Sequence, residues 1–146
     1  MELLRIHGSG DVRLDPYERP ATGPLDVVVK MKSVGICGSD LSYIKIGGIP
    51  TPGTLTALGH EGAGEVIEVG AGVEGIAVGD PVVVNPMMTP GNIGSGGPEG
   101  AFTQELLVRE ARLGDRSCRS PTASTTMSPP CASRLPSPCT GSIGPR

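Results

Sequence analysis

The chain has 146 residues and a formal net charge of -3, which leaves room for one domain core and, without a basic cluster, disfavours nucleic acid as a partner. Glycine and proline are abundant (23 and 15 residues) and aromatic residues are nearly absent, so short strands joined by turns are favoured over long helices. The sequence lacks both an apolar run of the ~18 residues that a membrane span needs and a recognisable signal peptide. We therefore expect a cytoplasmic protein that contacts neither membrane nor nucleic acid.

Short strands are predicted over residues 1 to 113. In chain order they are Met1 to Ile6, Leu14 to Glu18, Leu25 to Val34, Glu65 to Val69, Val82 to Val84 and Phe102 to Val108. The third strand carries Lys30 and Lys32 at period two, which is typical of a strand with one face in water. A short helix is expected to begin at Ser39 or Asp40, two residue types that are common at helix N-termini. The pattern predicts a mainly β fold, a closed or partly open barrel with one or two short helices.

The composition changes sharply after Leu113. Residues 114 to 146 are dominated by Ser, Pro, Thr, Arg and Cys and contain no Val. Neither the helical nor the strand period is present there, so we expect a disordered tail that adds nothing to the core. The tail contains three cysteines without ligand-like spacing, Cys118, Cys131 and Cys139. In a reducing cytosol all four cysteines of the chain should remain thiols.

Two short motifs contain the side chains best suited to chemistry. Cys37 lies in Gly-Ile-Cys-Gly-Ser-Asp, and 23 residues later His60 and Glu61 lie in Gly-His-Glu-Gly. Thiolate, imidazole and carboxylate groups bind catalytic Zn²⁺, which keeps one position open for water or substrate. On spacing alone, the simpler interpretation is a buried thiol and a hydrogen-bonded core histidine.

The order of several motifs resembles the N-terminal GroES-like domain of the medium-chain, zinc-dependent alcohol dehydrogenases over residues 1 to about 113. The matching segments are Cys-Gly-Ser-Asp, Gly-His-Glu-Gly-Ala-Gly-Glu-Val, Val-Gly-Ala-Gly-Val and Val-Gly-Asp-x-Val. The resemblance implies a GroES-like partly open barrel. It also implies a zinc-dependent oxidoreductase that transfers hydride between a secondary alcohol or polyol and NAD(P), in a family whose members are usually homo-oligomers.

The resemblance further implies a role for each polar residue of the two motifs. Cys37 and His60 would be ligands of one catalytic zinc, and Glu61 would lie behind the metal and exchange with its water. Ser39 would pass the alcohol proton toward solvent, and Asp40 would hold the histidine in its working tautomer. As alternatives, Ser39 and Asp40 could serve only as helix caps, and Glu61 could be a solvated loop acid.

The chain also departs from the family pattern. Residues 85 to 100 lack the four cysteines that bind a structural zinc in many members, so one catalytic zinc and no structural zinc are expected. The third zinc ligand and the nucleotide-binding domain have no counterpart, so NAD(P) is expected only in full-length members and the chain alone should be inactive. The alternative is a non-catalytic GroES-like module. The zinc-free quinone reductases that share this domain are disfavoured, because they lack both motifs.

A glycine-rich segment imitates a nucleotide-binding fingerprint. Gly70, Gly72 and Gly75 fit the pattern Gly-x-Gly-x-x-Gly. A dinucleotide site would require an amphipathic helix directly after the glycines, but Gly79 and Pro81 break the chain there. The segment is therefore predicted to be a turn between two strands of the barrel.

The tail permits a reading at the level of codons. When the codons that could encode residues 114 to 146 are translated in a shifted reading frame, they allow amino-acid sequences that resemble the family's continuation into its nucleotide-binding domain. We interpret residues 114 to 146 as the product of a frame change near Leu113, with a genuine extension as the alternative.

Overall fold

The computed structural model describes residues 1–49 and 55–112, together with the backbone of residues 127–128. The elements of these ranges are β1 (Glu2–Gly8), β2 (Asp11–Pro16), β3 (Val27–Gly35), α1 (Gly38–Ile46), β4 (Thr56–Ala57), β5 (Glu61–Val69), β6 (Pro81–Val84), a 3-10 helix (Pro86–Met88), β7 (Glu105–Val108) and β8 (Met127–Ser128). The fold is mainly β, as the sequence predicts. No helix in the described ranges is long and apolar enough to cross a membrane.

Two antiparallel sheets form a partly open barrel. The first has the strand order β2-β1-β4, and the second has the order β7-β3-β5-β6-β8. A bridge between Leu3 and Thr103 joins the sheets, and beside it the Leu4 N–H donates to the Phe102 carbonyl at 3.1 Å. This architecture confirms the predicted GroES-like, partly open barrel.

The backbone of β8 pairs with Val83 and Val84 of β6. The remainder of the predicted tail, residues 114–126 and 129–146, lies outside the described residues. The disordered tail and the domain boundary at residue 113 therefore stay predictions.

The pairing of β3 with β5 determines which residues lie next to each other at one end of the larger sheet. Val27 faces Val69 at the first end, and Gly35 faces Glu61 at the other. Two bulges interrupt the ladder, because Ile67 has no partner in β3 and Lys32 has none in β5. One extra residue lies on each strand, so the two bulges cancel and the original register returns before the ladder reaches Glu61.

The first end of β3 is buried on both faces. Val27, Val28 and Val29 are each 0% exposed, so side chains on both faces of the strand are covered at this end, while β5 and β7 cover its two edges. A strand with both faces covered has a continuous apolar run instead of an alternating pattern. The predicted half-buried strand over residues 25–34 is thus wrong for its first part, and exposed lysines begin only at Lys30.

Helix α1 begins earlier than predicted, with Cys37 as its N-cap rather than Ser39 or Asp40. The Cys37 backbone N–H donates to the Asp40 carboxylate at 2.9 Å, which is the reciprocal half of a capping box. At the other end, Gly47 adopts a left-handed conformation with φ of 86° and ends the helix. The Ser9 hydroxyl donates to a carbonyl of the last turn at 2.6 Å. Both ends of α1 are therefore held by hydrogen bonds.

The glycine-rich segment forms the loop between β5 and β6, as predicted. The Gly70 N–H donates to the Asp26 carbonyl at 2.8 Å, and the Gly72 N–H donates to the Pro24 carbonyl at 2.7 Å. A phosphate-binding loop must present free backbone N–H groups to its ligand. These two groups already have backbone acceptors, so the segment is a packed turn.

Candidate metal centre

Three potential metal ligands meet where β3 ends and β5 begins. Cys37 lies two residues after Gly35, and Gly35 pairs with Glu61, the neighbour of His60. The Cys37 thiol, a ring nitrogen of His60 and a carboxylate oxygen of Glu61 all lie within 4.8 Å of one another. Cys37 and His60 are partly buried, whereas Glu61 is exposed. The ladder between the two strands thus brings together the three ligand types that the sequence motifs predict.

The donor set of these three residues fits a zinc ion. Tetrahedral Zn²⁺ binds thiolate, imidazole and carboxylate groups at about 2.0 to 2.3 Å, which places ligand atoms roughly 3.5 Å apart. The observed limit of 4.8 Å is close enough for side-chain rotation to bring all three onto one ion. Glu61 thereby offers a third donor atom beside those of Cys37 and His60.

His60 lies between a hydroxyl and a carboxylate. The Ser39 Oγ is 3.2 Å from His60 Nε2, and the Asp40 Oδ1 is 3.3 Å from His60 Nδ1. The Asp40 side chain is only 2% exposed. The Nδ1 and Oδ1 atoms are both buried, and neither has an aligned hydrogen-bond partner within the described part of the chain. A buried carboxylate beside Nδ1 favours the tautomer with its proton on Nδ1, which leaves Nε2 free to bind a metal.

Cys37 is placed to be a thiolate. Hydrogen bonds from the Ser39 hydroxyl and from the Ser39 backbone N–H hold the pKa of the Cys37 thiol below its ordinary value. A thiol with a lowered pKa has a larger thiolate fraction at neutral pH, and the thiolate is both the metal ligand and the nucleophile. The chemistry of Cys37 therefore depends on Ser39.

Substitution Ser39→Ala is expected to move the pH profile of Cys37 alkylation to higher pH. The folded-state pKa is depressed in the wild type, so removing the hydroxyl raises this pKa and slows the reaction near pH 7. Iodoacetamide rates of the chelator-treated protein, followed by mass spectrometry of the Cys37 peptide, measure the shift. Ser42→Ala is the matched control, because the Ser42 hydroxyl donates to the Gly38 carbonyl of the same helix. Identical profiles for both variants would contradict the role of Ser39.

A cleft of about 440 Å³ opens beside the candidate ligands. Its lining comes from the start of β5 and from β6 with the residues after it: His60, Glu61, Gly62, Ala63, Val83, Val84, Asn85 and Pro86. The cleft is large enough for a small organic molecule. The sequence alone assigned no site role to Val83 through Pro86, because two valines followed by Asn-Pro are typical of the end of a strand and contain no sign of a ligand site.

The structure brings all five predicted site residues into one cluster. Ser39 and Asp40, on the first turn of α1, contact His60, and Cys37 precedes that turn. Asp40 also acts as a helix cap, so the alternative role and the predicted role are both compatible with its position. The three tail cysteines lie outside the described residues.

Residues 23–120 match the family described as the alcohol dehydrogenase GroES-like domain. The match extends over more than half of the chain and contains both motifs. The matched residues contain the strands β3 to β7 and the Cys37–His60 region described above.

Proteins of known activity are similar to this chain. An (R,R)-butanediol dehydrogenase from Bacillus subtilis strain 168 is 37% identical over 77% of this chain and 39% of that protein. A sorbitol dehydrogenase from Rattus norvegicus is 47% identical over 57% of this chain and 24% of that protein. The crystal structure of a 2R,3R-butanediol dehydrogenase from Bacillus subtilis superimposes with a TM-score of 0.65 at 34% identity, over 75% of this chain and 38% of that one. The match thus extends over less than half of each relative.

Proposed function

Because the chain belongs to the alcohol dehydrogenase GroES-like domain family, we propose that it forms the zinc-binding part of an NAD(P)-dependent dehydrogenase acting on a secondary alcohol or polyol. The observation that carries this proposal is the convergence of Cys37, His60 and Glu61 within 4.8 Å. The similarity to butanediol and sorbitol dehydrogenases supports the substrate class. In this proposal Zn²⁺ is held at a single catalytic site.

The chemistry that zinc supplies when bound is Lewis acidity, which lowers the pKa of an alcohol hydroxyl. Asp40 keeps a proton on His60 Nδ1 and thereby orients Nε2 toward the ligand site. Ser39, whose half-buried hydroxyl is 3.2 Å from Nε2, accepts the proton of the substrate hydroxyl and passes it toward solvent. Glu61 is exposed and is the ligand best placed to exchange with water.

The substrate lies in the cleft beside His60. Val83 and Val84 form an apolar wall there, which favours the hydrocarbon part of a small alcohol and excludes water from one side. The nicotinamide cofactor is assigned to a separate domain, because the amides of the Gly70 segment are already hydrogen-bonded to backbone carbonyls. The 146 residues alone are therefore inactive as a dehydrogenase in this proposal.

Metal analysis of the purified chain tests the proposal. We expect about one zinc per chain for the wild type and almost none for Cys37→Ser, because loss of the thiolate leaves too few donors for a stable site. Cys139→Ser is the matched control, since it makes the same chemical change at a cysteine without an assigned role, and it should retain the metal.

Absence of zinc from all three proteins would refute the zinc-binding function. The chain would then be a non-catalytic GroES-like module. Equal zinc in wild type and Cys37→Ser would instead place the metal away from the proposed ligands.

A further inference from the structure

The loop between the 3-10 helix and β7, residues 89–104, packs directly on the backbone that carries His60. Gly94 has a φ of +64°, and a Cβ atom at this position would lie 2.1 Å from the Gly59 carbonyl oxygen and 3.0 Å from the His60 nitrogen. From the same region of the chain, the Ala101 N–H donates to the Gly59 carbonyl at 2.8 Å. The loop therefore contacts the peptide unit that precedes His60 and limits where that unit can lie.

Glu99 fastens this loop. Its side chain is 3% exposed, and Arg109 donates to its Oε1 atom twice, from Nε at 3.1 Å and from Nη2 at 2.7 Å. Arg109 directly follows β7, whose backbone pairs with β3, the second strand of the larger sheet. The Glu99 carbonyl oxygen also accepts a hydrogen bond from the Gly94 N–H at 2.8 Å. Glu99 thus connects β7 on one side to Gly94 on the other.

The loop also has backbone anchors of its own, since the Ser95 and Gly97 N–H groups donate to the Asn92 carbonyl at 2.9 and 3.2 Å. Its glycines at positions 91, 94, 96 and 97 have no side chains to bury, and Ile93, at 2% exposure, is one of its buried apolar residues. A buried carboxylate is costly unless it is paired and hydrogen-bonded. Two donors from one planar guanidinium give such a pair a defined geometry. An ion pair of this kind can therefore fix the position of the loop as well as contribute to folding.

We propose that Glu99 and Arg109 are positioning residues for His60, acting through the contact of Gly94 with the Gly59–His60 peptide. The part of this proposal that concerns metal affinity rests on the proposed zinc function. The part that concerns the placement of the imidazole ring does not, because the contacts involve only the chain itself.

The variant Glu99→Gln tests this role, because it keeps the shape of the side chain and removes its charge. Titration of the 146-residue chain with Co²⁺, followed by the thiolate-to-cobalt absorption band, is expected to show about tenfold weaker binding, the lower end of the effect of a changed supporting residue around a metal. The matched control is Arg19→Gln, which breaks the ion pairs of Arg19 with Glu68 and Glu105. Both variants should lower the melting temperature, but only Glu99→Gln should weaken cobalt binding.

A second measurement needs no metal. The chain has two histidines, so the ring C–H signals of His60 are assigned in NMR spectra by difference from His7. We expect Glu99→Gln to shift the His60 signals and to leave those of His7 unchanged. If Glu99→Gln does not fold, Arg109→Lys replaces it in both measurements, because lysine keeps the charge but loses the two-donor geometry.

The outcomes separate this proposal from the zinc function. Lower stability with unchanged cobalt affinity and unchanged His60 signals would show that the ion pair serves folding alone, and would overturn the positioning role. If the wild type binds no Co²⁺, the zinc function fails. The His60 signals then decide the positioning role by themselves.

Discussion

A chain that carries Gly64→Ala is expected to lose a large part of its folding stability. The added methyl group would lie 2.2 Å from the Lys30 carbonyl oxygen and 2.7 Å from the Val29 Cγ1 atom. β5 cannot move aside, because it is hydrogen-bonded to β3 on one edge and to β6 on the other. The expected loss is about 3 kcal/mol or more, out of the roughly 5 to 15 kcal/mol that stabilise a typical domain. Urea denaturation of the 146-residue chain measures the loss.

Gly38→Ala is the control for this prediction, because it makes the same chemical change at an uncrowded position. Gly38 is the first residue of α1, and a Cβ atom there would have no neighbour within 4 Å. Alanine has the higher helix propensity and restricts the unfolded chain, so stability should be unchanged or up to about 1 kcal/mol higher. Similar losses in both variants would show that crowding at Gly64 is not the cause.

Asp40→Ala is expected to weaken metal binding by about 10- to 100-fold, the usual effect of removing the carboxylate that orients a metal-binding histidine. The substitution leaves His60 Nδ1, which lies 3.3 Å from the Asp40 Oδ1, without a carboxylate. It also removes the acceptor of the Cys37 backbone N–H at the start of α1, which should cost about 1 kcal/mol of stability. Zinc competition against a chromophoric chelator and urea denaturation measure the two effects.

Two further variants separate the effects of Asp40 on affinity and on stability. Asp40→Asn keeps an acceptor for the helix cap but lacks the charge, so stability should be nearly preserved while metal affinity still falls. Asp80→Ala removes another carboxylate that accepts a backbone hydrogen bond, from the Ala77 N–H at 2.8 Å on an exposed turn. It should reduce stability slightly and leave metal affinity unchanged. If Asp40→Ala binds metal as tightly as Asp80→Ala does, Asp40 does not orient His60.

Strands with a repeating pattern could be predicted from the sequence. The alternation Glu-Val-Ile-Glu-Val indicates β5, although the strand begins four residues earlier, at Glu61. β4 could not be predicted, because two residues, Thr56 and Ala57, contain no pattern and are a strand only through their pairing with β1. The N-cap was misassigned because the preference for Ser and Asp is statistical, whereas the cap is defined by the extended backbone of Cys37.

The candidate metal centre was more predictable than its surroundings. Its residues lie in two continuous motifs, one directly after β3 and one at the start of β5. Each motif can therefore be recognised from a short stretch of sequence. Glu99 and Arg109, by contrast, are a single acid in a glycine-rich loop and a single base after a strand, and only the tertiary structure joins them. The valine wall of the cleft has the same origin, since Val83 lines the same cleft as His60 only through the pairing of β6 with β5.

The paired bulges of the β3–β5 ladder determine where the protein can change in length. Deletion of Lys32 or of Ile67, the residues without a cross-strand partner, would straighten the ladder locally and leave every other pair in place. Deletion of any other residue between Val27 and Gly35 would shift the pairs that follow it and move Gly35 away from Glu61. A single deletion at either bulge can therefore shorten one of these strands without separating Cys37 from His60.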